Sequence, residues 1–257
     1  MNPAPSLTHL SLFSGIGGLD LAAEWAGFRT VGQCEWADYP TKVLEKHWPE
    51  VPRWRDIRTL TGEDFYARTG LRTVDIVSGG FPCQPFSKAG KLGGKSDDRF
   101  LWPEMLRVIK ELHPTWVVGE NVANIINLAL DDVFSDLEAA GYETRAFMVS
   151  ARSVGALHLR ERFAILAHAN SDRRFPAPGK APEKGCDGYQ VRDAVSEGTE
   201  ACGGGRWRLE PGMGRVADGI PYWMDRVRCL GNAVMPQQFY PFFKAIHDVE
   251  EILWLQH

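Results

Sequence analysis

The sequence predicts an α/β fold: a doubly wound, mostly parallel sheet with a small loop-rich insert. Three observations lead there. Over roughly the first 165 residues, short apolar runs alternate with amphipathic stretches, which reads as repeated βα units. Strands separated by helices in this way argue for a parallel sheet covered on both faces. After His168 the composition shifts: Asn170 to Gly219 is rich in glycine, proline and charge and shows no sustained apolar period. The expected organisation is a main domain over 1–167, a short insert over 168–224 and a returning segment over 225–257.

The elements follow in order. His9 to Phe13 is the first strand, and Ser14-Gly15-Ile16-Gly17-Gly18 is the turn after it. A helix from Leu19 to Ala26 stops at Gly27. Thr30 to Cys34 is a second strand, ending at Glu35-Trp36, and the helix Asp38 to Trp48 is closed by Pro49 and Pro52. Val74 to Ser78 is a buried strand running into Gly79-Gly80-Phe81-Pro82-Cys83. Trp102 to Leu112 is a helix with Pro103 near its first turn. Thr115 to Val118 is a strand ending at Gly119-Glu120-Asn121, Leu130 to Ala140 a helix stopped by Gly141, and Phe163 to Ala167 a further buried strand. Pro236 to Leu255 reads as a C-terminal helix.

Composition sets the limits on function. The chain has 257 residues, 44% hydrophobic and 24% charged, which allows a sizeable core and argues against wholesale disorder. A net charge of −4 gives no global basic field to advertise a nucleic-acid partner. Five cysteines without a CxxC pair argue against a disulfide framework or a zinc site and fit a reducing cytoplasm. No apolar run approaches the roughly 20 residues of a membrane span. Met1 to His9 has neither the basic start nor the apolar stretch of a signal peptide. A soluble cytoplasmic protein without membrane attachment or metal is expected.

Several residues could carry chemistry. Gly15, Gly17 and Gly18 follow a strand and open a helix, so they form either a plain tight turn or a loop that lets backbone approach a ligand at a positive helix end. Glu35, about 20 residues on at the end of the second strand, stands where a carboxylate commonly accepts ribose hydroxyls, or else is a solvated loop residue. Cys83, bracketed by Pro82 and Pro85 past a buried strand, is placed at the carboxyl edge of the sheet, which favours a nucleophile over a core filler. Glu120 is delivered to the same edge with Asn121 beside it; it is a general acid if burial raises its pKa, or a helix cap. His158, Arg160 and Arg162 alternate, so on a strand they share one face, suited to an anion or a base carbonyl or to surface salt bridges. Ser87 to Arg99, with Lys88, Lys91 and Lys95 among glycines, is a cationic loop able to cover a phosphate-bearing substrate, or a surface loop.

In this order the motifs resemble the DNA (cytosine-5)-methyltransferase family. Phe13-Ser14-Gly15-Ile16-Gly17-Gly18 is similar to its first motif, which binds S-adenosylmethionine, Glu35-Trp36 to the second, and Asp56-Ile57 to the acidic position that contacts the adenine. Phe81-Pro82-Cys83-Gln84 resembles the catalytic signature, Glu120-Asn121-Val122 the motif after it, and Arg160-Glu161-Arg162 the paired arginines. Gly231-Asn232-Ala233-Val234 resembles the late motif that returns the chain to the cofactor. The resemblance covers roughly residues 9–167 and 225–245. It departs at His158, a position that is often Gln in the family, and in a variable region short for the family.

The resemblance implies a Rossmann-like fold binding S-adenosylmethionine through Phe13 to Gly18, Glu35, Trp36, Asp56, Ile57, Pro82, Asn232 and Val234. It implies methylation of cytosine C5 in double-stranded DNA, with Cys83 attacking C6, Glu120 at N3, Arg162 at O2 and Arg160 beside it. Gln84, Ser87, Lys88, Arg99 and Asn121 would meet the DNA, with the target base flipped out. The implied protein is a cytoplasmic monomer of a bacterium or phage-infected cell, serving restriction–modification beside a separate endonuclease, phage self-protection or orphan modification. Two other readings share the motifs: a tRNA cytosine-5 methyltransferase, and a catalytically silent cofactor- or DNA-binding remnant with a truncated recognition region.

Overall fold

The computed structural model describes residues 6–82, 101–123, 125, 129–170 and 223–255. Two compact units divide the chain: Met1–Asn170 with Tyr222–His257, and Ser171–Pro221. The described residues belong to the first. Its elements are β1 (Thr8–Leu12), α1 (Gly18–Trp25), β2 (Arg29–Cys34), α2 (Asp38–His47), β3 (Arg53–Trp54), α3 (Gly62–Thr69), β4 (Ile76–Gly79), α4 (Trp102–Leu112), β5 (Trp116–Val122), α5 (Leu130–Ala139), β6 (Tyr142–Val149), β7 (Arg162–Ala169), α6 (Trp223–Asn232) and α7 (Pro236–Leu255).

The strands form one sheet in the order β3-β2-β1-β4-β5-β7-β6. The first five are parallel, while β7 runs antiparallel to both β5 and β6. From β1 the chain winds outward to β2 and β3, then returns to add β4 and β5 on the other side. The carboxyl ends of β1 and β4 therefore flank the switch point where ligands bind in open α/β sheets.

Alternation along the strands splits the core in two. Val77 and Val117 are register partners and face one cluster with Leu10, Leu12 and the buried stripe of α4. Their neighbours Ile76 and Val118 face the other, with Ala22 and Ala23 of α1 and Phe239, Phe243 and Ile246 of α7. The spacing of those three α7 residues lines one helix face. Trp116 Nε1 also donates to Glu250 Oε1 at 2.8 Å, so the C-terminal helix is stitched to the central sheet.

The structure departs from the sequence reading in four places. Strand β5 continues to Val122, so Glu120 and Asn121 lie within it, paired with Ala164 and Phe163, rather than beyond its end. Strand β7 begins only at Arg162, and Arg160 has a φ of +27°, so the strand alternation expected for His158, Arg160 and Arg162 does not hold. Strand β6 was missed because it is an edge strand whose middle and end expose both faces, leaving no clean period 2. The two-residue β3 and the short α3 are too brief to give a periodic signal.

Candidate active site

The first side of the crevice is built where β1, β2 and β3 end. After β1, Phe13 takes a φ of +54° and Ser14 N–H donates to Cys34 O at 3.0 Å, turning the chain across β2. Gly15 and Gly17 follow at positive φ. Glu35 holds this turn: its Oε2 accepts from Gly15 N–H and its Oε1 from Ala37 N–H, both at 2.8 Å. A carboxylate has about four acceptor positions, so each oxygen keeps capacity for a further donor. Trp36 beside it is 70% exposed.

At the end of β3, Asp56 Oδ1 accepts from Arg58 N–H and caps a turn of 3₁₀ helix over Ile57–Thr59. The Ile57 side chain is buried in the larger core cluster. Arg107 of α4 donates to the Ile57 and Leu60 carbonyls and fixes this turn from below.

Beneath the glycine turn lies a polar network that the sequence did not announce. Asp20 is fully buried, accepting from Ser11 Oγ at 2.9 Å and from Gln33 Nε2 at 2.8 Å. Burial pushes its pKa up to about 6. Next to it His9 bridges Thr30 and Ser78 across β2, β1 and β4, and burial lowers its pKa to about 3, so the ring is neutral.

The second side is built where β4, β5 and the start of β7 meet. Glu120 Oε1 lies 2.9 Å from Arg162 Nε, with the two side chains 11% and 12% exposed. The Arg162 Nε–H is not aligned on that oxygen and has no hydrogen-bond partner among the described residues, so the contact is an ion pair rather than a formed hydrogen bond. Burial raises the Glu120 pKa to about 7, against the opposing pull of Arg162 and Arg160. A carboxyl so raised retains its proton toward neutral pH, the state a general acid needs. Gly80 makes room for it: a Cβ there would stand 2.8 Å from Glu120 Oε2. Asn121 Nδ2 donates to Phe81 O at 3.0 Å, tying β5 to the segment that leads to Pro82.

The late motif meets both sides. Val234 O packs against Gly18 so closely that no Cβ could be accommodated there. The Arg160 guanidinium donates to Leu230 O, Gly231 O and Ala233 O. Asn232, between them, is exposed. Cys83, Gln84, Ser87, Lys88 and Arg99 lie outside the described residues, as do residues 171–222 of the recognition region expected over 168–224. Sequence reasoning missed Asp20, His9 and Gln238. A buried Asp on a short helix looks like a surface residue, and only its partners on β1 and β2 reveal it.

This arrangement brings an open glycine turn, a carboxylate with spare acceptors and a proton-bearing buried carboxyl to one edge of the sheet. The model for C-5 cytosine-specific DNA methylases matches residues 7–197. The chain belongs to that family. It is 31% identical to the Type II methyltransferase M.NgoMIV of Neisseria gonorrhoeae over 214 residues, which are 79% of this chain and 65% of that protein. To M1.HphI of Haemophilus parahaemolyticus it is 31% identical over 182 residues, 67% of this chain and 49% of the relative. Among solved structures, a protein described as a DNA modification methyltransferase encoded within an E. coli prophage superposes with a TM-score of 0.55 at 26% identity, covering 66% of this chain and 50% of the other. The chain thus spans about half to two thirds of the length of these relatives. The fold is the Rossmann-like one of S-adenosylmethionine-dependent methyltransferases.

The crevice fits that cofactor on its own geometry. Among the described residues a Cβ on Gly15 would meet nothing within 4 Å, so none of them closes over the turn. Glu35 stands at the rim with acceptors available for a diol. Among the described residues no helix is long and apolar enough to cross a membrane.

Proposed function

We propose that this chain methylates C5 of cytosine in double-stranded DNA, using S-adenosylmethionine. The observation that carries the reading is Glu120, buried against Arg162 with its pKa raised to about 7 at the sheet edge that also bears the open glycine turn. The cofactor supplies an electrophilic methyl group when bound. Phe13 to Gly18 would hold it, with Glu35 on the ribose hydroxyls and Asp56 near the adenine amine. Trp36, Ile57, Pro82, Asn232 and Val234 complete that side.

Cytosine C5 is a poor nucleophile and must be activated. The Cys83 thiolate forms a bond to C6, and the C5=C6 electron pair moves toward C5. Glu120 donates its proton at N3 while the Arg162 guanidinium holds O2. C5 takes the methyl group and then loses its proton to solvent water; the electron pair of that C–H bond re-forms C5=C6 and expels Cys83 as thiolate, and N3 returns its proton to Glu120. The ring is inaccessible inside a stacked duplex, so the base is flipped out. Gln84, Ser87, Lys88 and Arg99 would close over it from the loop after β4, with Asn121 bracing that loop's start. Residues 168–224 would form a short target-recognition region. The working protein is a cytoplasmic monomer in restriction–modification, with any endonuclease a separate chain.

The test is methyl transfer from labelled cofactor to unmethylated genomic duplex, followed by sequencing of modified sites. The expected result is 5-methylcytosine at a defined sequence, and a covalent adduct with a duplex carrying 5-fluorocytosine at the target. Cys83→Ser should abolish both, because a hydroxyl is far less ionised than a thiol at neutral pH. Methylation persisting in that variant would overturn the nucleophile assignment. Transfer to tRNA alone would overturn the DNA substrate, and inactivity on both would make the chain a cofactor-binding remnant.

A further inference from the structure

We propose that Arg160 is a positioning residue that ties the base-facing pair Glu120–Arg162 to the methyl-donor turn by gripping the end of α6. The proposal rests on the functional reading above and concerns how its two halves are held together. Arg160 precedes Arg162 by two residues but lies outside β7, at a φ of +27° that side-chain-bearing residues rarely adopt. Its backbone is pinned there. Gln238, fully buried on α7, donates from Nε2 to Arg160 O at 3.0 Å and to Val149 O at 2.9 Å.

With the backbone fixed, the guanidinium extends to the end of α6. It reaches Gly231 O at 2.9 Å, Leu230 O at 3.4 Å and Ala233 O. The last carbonyls of a helix have no intrahelical donor and form the negative end of its dipole, so a cation there is doubly suited. All three contacts run from one terminal nitrogen, Nη2, which the rigid guanidinium plane holds in place and which a lysine ammonium on a flexible stem does not reproduce. The next residue, Val234, lays its carbonyl on Gly18, the first residue of α1 and the end of the glycine turn. A continuous physical path therefore runs from Glu120–Arg162 through Arg160 and residues 230–234 to the turn that would hold the methyl donor. Arg160 also stands near enough to Glu120 for its charge to lower that pKa. It has two separable effects: a grip that needs the reach and plane of the guanidinium, and a field that needs only the charge.

The experiment uses the full chain with S-adenosylmethionine as probe, binding read by calorimetry and Glu120 titration read by carbon-13 NMR of its side-chain carboxyl. Arg160→Lys keeps the charge and loses the nitrogen that the guanidinium plane holds at those carbonyls, so cofactor affinity should fall about tenfold while the titration midpoint stays. Arg160→Gln loses both, so affinity falls similarly and Glu120 titrates at higher pH. Gln238→Leu frees the Arg160 backbone without touching its charge and should weaken cofactor binding with an unchanged midpoint. Arg152→Lys, at an exposed arginine, is the control and should change neither. Wild-type affinity in Arg160→Lys would overturn the grip, as would an affinity loss that merely tracks a lowered melting temperature. If Gln238→Leu fails to fold, the two Arg160 variants decide. A wild-type chain that does not bind S-adenosylmethionine overturns the functional reading and the grip with it.

Discussion

On the donor side of the crevice, where β1, β2 and β3 end, the chain offers main-chain amides and partly exposed carboxylates. On the base side, where β4, β5 and the start of β7 meet, it buries a carboxylate and a guanidinium 2.9 Å apart. Glu35 works within a turn and its neighbours and keeps its solvent; Glu120 has given up solvent and so holds its proton to about pH 7. Binding a ready-made cofactor requires acceptors in the right place. Activating a ring requires a carboxyl that can deliver a proton at neutral pH, and only burial provides that.

The largest expected effect breaks the base side. Glu120→Gln removes the proton donor while keeping the shape, and should lower the methylation rate by about 10²–10⁴-fold with cofactor binding intact. In the wild type the rate limited by this proton should fall as pH rises through about 7, the limb on which Glu120 ionises. The variant should lack that limb. A rate profile with the limb still present would assign it to another group.

The next effect tests whether burial alone, without catalysis, has the same signature on the donor side. Asp20 has a pKa raised to about 6 by burial beneath the glycine turn. The folded chain therefore holds this proton longer than the unfolded one. The associated stability is fully present below about pH 4 and is lost as pH rises through about 6, amounting to about 3 kcal/mol at 1.36 kcal/mol per unit. Asp20→Asn should remove that dependence, read as the difference in urea unfolding free energy between pH 4 and pH 7.5. An unchanged difference would mean that Asp20 is not the group responsible.

The smallest effect sharpens the donor side itself. Glu35→Ala deletes the acceptor of Gly15 N–H together with the proposed ribose contacts, and should weaken cofactor binding by about 1–3 kcal/mol with little change in rate at saturation. Calorimetry showing unchanged affinity would move the ribose elsewhere.

The same contrast explains what could be read from the sequence. Phe13 to Gly18 and Glu35 were legible because each follows a strand directly, and strand, turn and helix are local patterns. Glu120 was legible as a position, but its partner was not. Its pairing with Arg162 depends on β7 running antiparallel to β5, and β6, which completes that edge, alternates only over its first four residues. Asp20 with Gln33, and Gly18 with Val234, are joined across 13 and 216 positions, by packing that no window of sequence contains. Gly18 looked like a turn residue; its real constraint is the backbone of a segment at the far end of the chain.

The reversed direction of β7 has a consequence for how robust this chemistry is to error. Glu120 is opposite Ala164, and Arg162 is opposite Val122, so the two charged residues are diagonal neighbours on one face of an antiparallel ladder. Had β7 entered parallel to β5, its first residue would have started at the far end of the sheet. A slip of a single residue in this ladder would send Glu120 and Arg162 to opposite faces, one of them into the apolar cluster beneath α4. The placement of the Glu120–Arg162 pair is thus written into strand alignment, and insertions or deletions within 116–122 or 162–169 should be far less tolerable than changes of side chain there.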